Sequence, residues 1–388
     1  MTTTKNNEHK KLNVPNLRFK EFQGEWEELG LSELLDFKNG LNPKPDKFGK
    51  GIKFISVMDI LNNAVITYDC IKASVDVTEK ELSDFSVEKG DILFQRSSET
   101  LEDVGRANVY MDDKTAVFGG FVIRGKKKGE YDPQYFNYLL RSPFARKRII
   151  PMGAGAQHFN IGQEGLSKVK LHFANIEEQK KIGKMLSLLD ERIATQNKII
   201  DKLQSLIKGI AHHCIRELIN GLEHVRLGDI CKITTGKLDA NAQVENGQYP
   251  FFTCAERPFN IDSYAFDTEA ILISGNGANL GYINYYKGKF NAYQRTYVLD
   301  HFSVNIQYVK WALKVLLPKR IAIEKSSSNT PYIVLSTLAD LKIPIPNNSK
   351  QNHIADLMMS FERKLSTRLA LSDLYNKQKQ YLLRQMFI

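Results

Sequence analysis

The feature that most constrains this chain is that its 388 residues carry one pattern twice. Leu31-Ser32-Glu33-Leu34, running on to Gly40, matches Leu227-Gly228-Asp229-Ile230, running on to Gly236, without a gap. Farther on, Ile92-Leu93-Phe94 corresponds to Ile271-Leu272-Ile273, and Leu171-His172-Phe173-Ala174 to Ile343-Pro344-Ile345-Pro346. Gln179 and Ile182 then answer to Gln351 and Ile354. The offset shrinks along the chain, as it must when loops differ in length on a shared scaffold. The length allows two domains on a prior of roughly 100–200 residues each.

Each copy opens with short apolar runs broken by Gly, Pro, Asn and Asp. Gly51 to Val57, Gly90 to Phe94, Val117 to Ile123 and Tyr297 to Leu299 read as strands. Pro133 to Leu140 and Ile306 to Leu317 read as short helical stretches. Each copy then closes in a long helix. In the first, Asn175 is placed as an N-cap with Glu178 three residues on, a capping-box pattern. Behind it Ile182, Leu186, Leu189, Ile193, Gln196, Ile200, Leu203, Ile207 and Ile210 alternate in steps of four and three, a coiled-coil seam. The counterpart seam runs Ile354, Met358, Phe361, Leu365, Arg368, Ser372, Tyr375, Lys379 and Leu382, with Leu369, Leu371 and Leu383 flanking it. The fold class expected is therefore α+β. Two tandem mixed domains (14–174 and 221–348) are each followed by a long helix (175–220 and 349–388).

Connectivity sets the packing. Short segments around Asn220 to His224 and Pro346 to Lys350 join the second domain to the two helices, so that domain starts and finishes near one place. Helices of this length also outrun what a single small domain can cover. Both points predict an antiparallel coiled coil with the domains at its opposite ends. The first seam spans about 42 Å at 1.5 Å per residue, against about 34–36 Å for one DNA turn.

The formal charge of +10 favours a polyanionic partner, since Lys and Arg that neutralise phosphates release counterions. From Arg124 to Arg148 the chain carries Arg124, Lys126, Lys127, Lys128, Arg141, Arg146, Lys147 and Arg148 against Glu130 and Asp132. Phosphate contact and an ordinary solvated face are both open for that stretch. Cys70, Cys214, Cys231 and Cys254 form no C-x-x-C pair, so reduced thiols are expected. MTTTKNNEHKK lacks the apolar core of a signal peptide, and no run of about 18 apolar residues occurs. A cytoplasmic chain with no membrane partner is the expectation.

Chemistry-bearing motifs fall short at each test. No two prolines are adjacent, which leaves out the Asn/Asp-Pro-Pro-aromatic motif of an amino-methyltransferase. No Gly-Lys pair is followed by the Ser or Thr of a P-loop. Asp112-x-Lys114 is a poor imitation of a nuclease centre, because the Pro45-Asp46 pair lies far upstream. Gly275 to Gly281 resembles a phosphate cradle, yet leads into the strand-like Tyr282 to Tyr286, so it is read as a loop between strands. No catalytic and no metal-binding residue is assigned.

The duplicated mixed domain plus helix resembles the specificity subunits of type I restriction–modification enzymes. Val14-Pro15-Asn16-Leu17-Arg18-Phe19 followed by Gly24-Glu25-Trp26-Glu27 looks like the family's opening. Gly90 to Ser97 looks like its GDILFSRS segment, and Asn291-Ala292-Tyr293-Gln294-Arg295 resembles the QR turn of many second domains. Leu338 to Pro346, with Gln351 after it, is similar to the stretch that closes a recognition domain.

The resemblance implies a non-catalytic reader of a split, asymmetric site in double-stranded DNA. Its partners would be two methyltransferase subunits and a restriction motor-nuclease subunit, which would use S-adenosylmethionine, ATP and Mg. Ile273-Ser274-Gly275-Asn276 departs from the arginine-containing turn of the first copy, so the role of Arg96 does not carry over to that position.

Major-groove reading rests on Arg to guanine, Asn or Gln to adenine, and small hydroxyls. The candidate DNA-binding residues are Arg96, Ser97, Ser98, Arg106, Gln157, His158 and Asn160 in the first copy. In the second they are Asn276, Asn279, Gln294, Arg295, Asn329, Thr330 and Tyr332. Lys181, Lys184 and Arg192 on the helix flank are candidates for docking a methyltransferase. A coiled-coil scaffold whose domains bind protein or glycan is the alternative, and salt-sensitive duplex binding separates the two.

Overall fold

A computed structural model describes residues 13–219, 221–325 and 332–388. They divide into two compact units, one running to Asn197 and including Leu371–Ile388, the other Lys198–Ala370.

In the first unit, strand Glu27–Gly30 pairs antiparallel with Lys170–Phe173, clasping the two ends of the mixed domain. Next come a one-turn helix, Leu31–Leu34, and the edge strand Leu35–Asn39 of a four-stranded antiparallel sheet. Its further members are Val122–Lys127, Ile92–Gln95 and Ala107–Val109, in that order. A second sheet sets Phe48–Ile55 parallel to Ala116–Phe118, with Ser74–Val75 and Ser86–Val87 at its edges. Alternation explains the double-sided burial: Ile92 and Phe94 enter one core, with Ile123, Phe136 and Leu139, while Leu93 and Val122 enter another with Ile55 and Phe118. The run Val117 to Ile123, read as one strand, is two strands turned at Gly119-Gly120.

The second unit repeats the frame of this plan. His224–Arg226 pairs with Lys342–Pro344, Leu227–Ile230 is the one-turn helix, and Lys232–Thr235 is the edge strand. Even single bonds recur: Leu31 donates its N–H to Val169 O, and Leu227 to Leu341 O, both at 2.9 Å. The sheets differ. Ile283–Ala292 runs unbroken and pairs with Phe266–Ser274 along one stretch and Tyr249–Phe252 along another, fusing everything into six strands. In the first unit its counterpart is cut into Ala107–Val109 and Ala116–Phe118 by a turn. Asp112 holds that turn, its carboxylate accepting from the N–H of Lys114 at 3.0 Å and of Tyr68 at 2.9 Å. The nuclease-like Asp112-x-Lys114 spacing is thus turn chemistry.

The long helices are Ile176–Ile219 and Asn348–Gln385. Asn175 caps the first as expected, its Oδ1 accepting from Glu178 N–H at 2.9 Å, and Asn347 caps the second through Lys350 N–H at 2.9 Å. The other arm of the expected capping box is diverted. The fully buried Glu178 carboxylate takes Arg18 Nε at 2.8 Å, Arg18 Nη2 at 2.7 Å and Trp26 Nε1 at 3.3 Å. That explains the Arg and Trp of the opening motif: they clamp the start of the helix. Gln179 and Gln351 act identically. Each donates Nε2 to a carbonyl five residues back, Ala174 O at 2.8 Å and Pro346 O at 2.7 Å. Each also accepts, at 3.0 Å, from the N–H of the residue that caps the nearby helix, Asp132 or Asn305.

Every predicted seam position of both helices is buried or half-buried. Of the flanking leucines, Leu383 is buried but Leu369 faces solvent. The packing is antiparallel. In the first unit Lys379 Nζ meets Asp190 at 2.6 Å and Ser372 Oγ donates to Asn197 at 3.0 Å, so one helix rises as the other falls. In the second unit Ile207, Ala211 and Ile215 share a core with Met358, Phe361 and Leu365.

Removing one partner of a buried, hydrogen-bonded pair costs about 3–5 kcal/mol, and Glu178 has two such partners. Glu178→Ala is expected to destabilise the chain by about 3 kcal/mol in urea unfolding. Glu21→Ala, which loses only the exposed pair with Lys181, is expected to cost less than about 1 kcal/mol.

Candidate nucleic-acid interface

In the first unit the candidates gather at the end of strand Ile92–Gln95. The chain passes through Arg96 into Ser97–Ser98, which pairs antiparallel with Phe159–Asn160: Ser98 lies opposite Phe159, and Ser97 opposite Asn160. Ser97 Oγ hydrogen-bonds Asn160 Oδ1, Gln95 Nε2 donates to Ser97 O at 2.9 Å, and Ser98 Oγ accepts from Thr100 N–H at 3.2 Å. Gln157, His158 and Asn160 are exposed, and Arg96, Ser97 and Ser98 are half-exposed. The result is one short polar edge carrying Arg, Ser, Gln, His and Asn. Arg96 Nη1 donates to Gly120 O at 3.3 Å, which leaves most of its five donors for a ligand.

Arg106 adjoins this edge through its backbone, its carbonyl accepting from Gln95 N–H at 2.7 Å, but its side chain turns to other partners. It pairs with Asp103 at 2.6 Å and lines a cavity of about 400 Å³ with Arg141, Arg146 and Ile60.

The basic stretch Arg124 to Arg148 divides: Arg124, Arg141 and Arg146 turn inward, while Lys126, Lys127, Lys128, Lys147 and Arg148 are exposed. Arg124 is buried with Nη1 on Ser86 O, Arg141 donates to Asn63 O at 3.2 Å, and Arg146 donates to Glu102 O at 2.8 Å and Val104 O at 2.7 Å. Burial, with Arg106 nearby, pushes the Arg146 guanidinium down to about 10. Lys126, Lys128 and Arg148 pair with Glu88, Asp36 and Glu28. The arginines are ties between loops and helices.

In the second unit Gln294, Arg295 and Tyr332 are exposed, Tyr332 at 55%. Asn276 and Asn279 are half-buried and secure the hairpin turn between strands Phe266–Ser274 and Ile283–Ala292. Asn276 Oδ1 accepts from the Cys254 thiol at 3.0 Å, and Asn279 Nδ2 donates to Cys254 O at 3.0 Å. Gly275 to Gly281 is therefore a loop between strands, as read. Asn329 and Thr330 lie outside the described residues. Sequence reasoning missed Phe121, 69% exposed at the turn beside Arg96. The signal was available: it follows Gly119-Gly120 just as Arg295 follows Tyr293-Gln294.

Arg146→Ala is expected to lower stability by about 2 kcal/mol, for two lost charge-assisted bonds to the carbonyls of Glu102 and Val104. It should leave the salt dependence of any duplex binding unchanged, because its charge does not face a phosphate. Denaturant unfolding paired with a salt titration of binding checks both.

The family model for the type I restriction modification DNA specificity domain matches this chain twice, over residues 23–205 and 220–371. The EcoDI specificity subunit of Escherichia coli, a type I restriction enzyme subunit, is 46% identical over 132 residues, 34% of this chain and 29% of that one. The MjaIX specificity subunit of Methanocaldococcus jannaschii is 23% identical over 367 residues, 83% of each. Thus the chain spans under a third of the first relative's length and most of the second's. The crystal structure of a type I restriction-modification S subunit from M. genitalium aligns over 97% of this chain and 99% of that one, with a TM-score of 0.65 at 19% identity. A duplicated mixed domain, paired helices and a family match to each copy give one conclusion: the chain belongs to the type I restriction modification DNA specificity domain family.

Proposed function

We propose that this chain is the sequence-reading, non-catalytic subunit of a type I restriction–modification complex, each unit reading one half of a split, asymmetric site in double-stranded DNA. The observation that carries the reading is the pair of equivalent edges with unlike residues. The stretch after Gly155 presents Gln157, His158 and Asn160, and the equivalent position to Asn160 in the second unit is Tyr332, since Ile161 and Ile333 make the same bond, to Arg96 O and Gly275 O, at 2.9 Å. Equal scaffolds with unequal edges suit two different half-sites.

The partners proposed are two methyltransferase subunits and a motor-nuclease subunit, which would supply the S-adenosylmethionine, ATP and Mg chemistry. The helix flank supports docking in part. Lys184 and Arg192 are exposed, and Arg192 borders a cleft with Leu188 and Tyr375, whereas Lys181 is held by Glu21 and lies 4.5 Å from the Phe19 ring. The setting proposed is the cytoplasm, and no helix among the described residues is long and apolar enough to cross a membrane.

The test is co-purification with the methyltransferase encoded beside this gene, then methylation mapping of DNA exposed to the pair. Methylation at one split motif, lost when either protein is omitted, is the expected result. Failure to co-purify, with no motif and no salt-sensitive duplex binding, would favour the scaffold reading instead.

A further inference from the structure

Two positions in each unit stand directly opposite each other where the recognition edge begins. In the first, Gln95 pairs with Val122, and Arg96 N–H then donates to Phe121 O at 2.9 Å. In the second, Ser274 pairs with Thr296, and Gly275 N–H donates to Arg295 O at 2.8 Å. Arg96 and Phe121 are therefore the structural counterparts of Gly275 and Arg295. Cross-strand neighbours of this kind project from one face with Cβ atoms about 5 Å apart. Each pair contains one arginine, but it stands on opposite strands in the two units.

The shift has a steric cause. A Cβ on Gly275 would lie 2.4 Å from Arg295 O and 3.1 Å from the Tyr297 ring, so no side chain can stand there. A guanidinium at this place in the second unit can come only from residue 295. In the first unit Arg96 fills the role, and the facing position holds the 69% exposed Phe121. An aromatic ring that far into solvent, lining one apolar cavity with the exposed Met58 and Phe48, is unusual unless something apolar meets it. On a DNA-reading edge the apolar group available in the major groove is the thymine methyl.

Resting on the proposed function, we infer that the pairs Arg96/Phe121 and Gly275/Arg295 are homologous specificity determinants. Each arginine reads a guanine in its own half-site, and Phe121 packs on a thymine methyl next to the first guanine.

The experiment uses the full chain co-purified with its methyltransferase, with methylation mapped on genomic DNA and rates measured on synthetic duplexes. Arg96→Ala is expected to relax one G·C pair in one half-site, and Arg295→Ala one G·C pair in the other. Each should reduce discrimination at that pair by roughly ten- to a hundredfold, while the untouched half-site is read normally and so reports folding. The double variant Arg96→Gly with Phe121→Arg gives the first unit the second unit's arrangement. It should keep the guanine requirement and lose the preference for thymine over uracil that the wild type shows at the neighbouring pair. Phe121→Ala alone should abolish only the thymine preference.

A uniform loss across sequences with a shallower salt slope would mark the arginines as phosphate contacts and overturn the inference. So would a mapped motif with no G·C pair in one half-site, or one with no thymine beside the first guanine. If the wild-type pair yields no split motif at all, the proposed function fails first, a different outcome from a motif that ignores these residues.

Discussion

One buried amide per repeat fixes where each long helix leaves its domain. The side chains of Gln179 and Gln351, 4% and 2% exposed, each satisfy a carbonyl at the end of the clasping strand and an N–H at the cap of the neighbouring helix. Those two backbone groups would otherwise be buried without partners, at roughly 1–3 kcal/mol each. A residue lacking both a donor and an acceptor at this reach could not join strand, helix cap and long helix at one point. The direction of the long helix, and hence the register of its seam, follows from this junction. Only the first copy adds the Arg18–Glu178–Trp26 clamp. The residue matching Glu178 in the second copy is Lys350, which is exposed.

This junction also shows what a sequence discloses. Repetition, the seam and the Asn175 cap are one-dimensional patterns, and each survives in the structure residue by residue, down to half-burial at polar seam positions such as Arg368 and Lys379. Lys379 is tolerated there because Asp190 faces it and also accepts from Tyr138 Oη at 2.8 Å. What failed depended on distant partners. Glu178 at the third helical position looked like a capping-box acid, but its carboxylate found a cation 160 residues away in sequence. The basic run to Arg148, open between phosphate contact and a solvated face, divides in the structure: Arg141 and Arg146 meet the carbonyls of Asn63 and Glu102, while its lysines lie exposed. A charge count cannot tell a guanidinium that binds a loop from one that binds a phosphate. Among the site candidates, the local cluster from Arg96 to Ser98 came together with Asn160 through strand pairing. Asn276 and Asn279 each give one amide atom to Cys254.

The two copies show how much change a recognition scaffold absorbs. Strand Ile283–Ala292 fuses two sheets that stay separate in the first unit, yet the bonds around the recognition edge recur within about 0.1 Å: Arg96 N–H to Phe121 O at 2.9 Å, and Gly275 N–H to Arg295 O at 2.8 Å. The variation lies in side chains pointing away from the backbone ladder, where a substitution need not disturb a core. Gly40 and Gly236 illustrate the opposite case. A Cβ at either would lie about 2 Å from a backbone oxygen, Gly119 O in one and Ala292 O in the other, so these positions stay glycine in both copies.

Close backbone approach therefore decides not only where glycine must stand but where a functional side chain can. At Gly275 the ladder leaves no room for a Cβ, whereas Arg96 on the equivalent backbone carries a full guanidinium. In the second unit the arginine therefore stands on the facing strand, at residue 295. Equivalence of position and of residue type thus come apart: the counterpart of Arg96 in the ladder is Gly275, while the arginine of the second pair is Arg295 on the facing strand. A comparison of the copies along the sequence sees an arginine lost at one site and gained at another. Cross-strand pairing makes it one guanidinium kept at the same place on the edge.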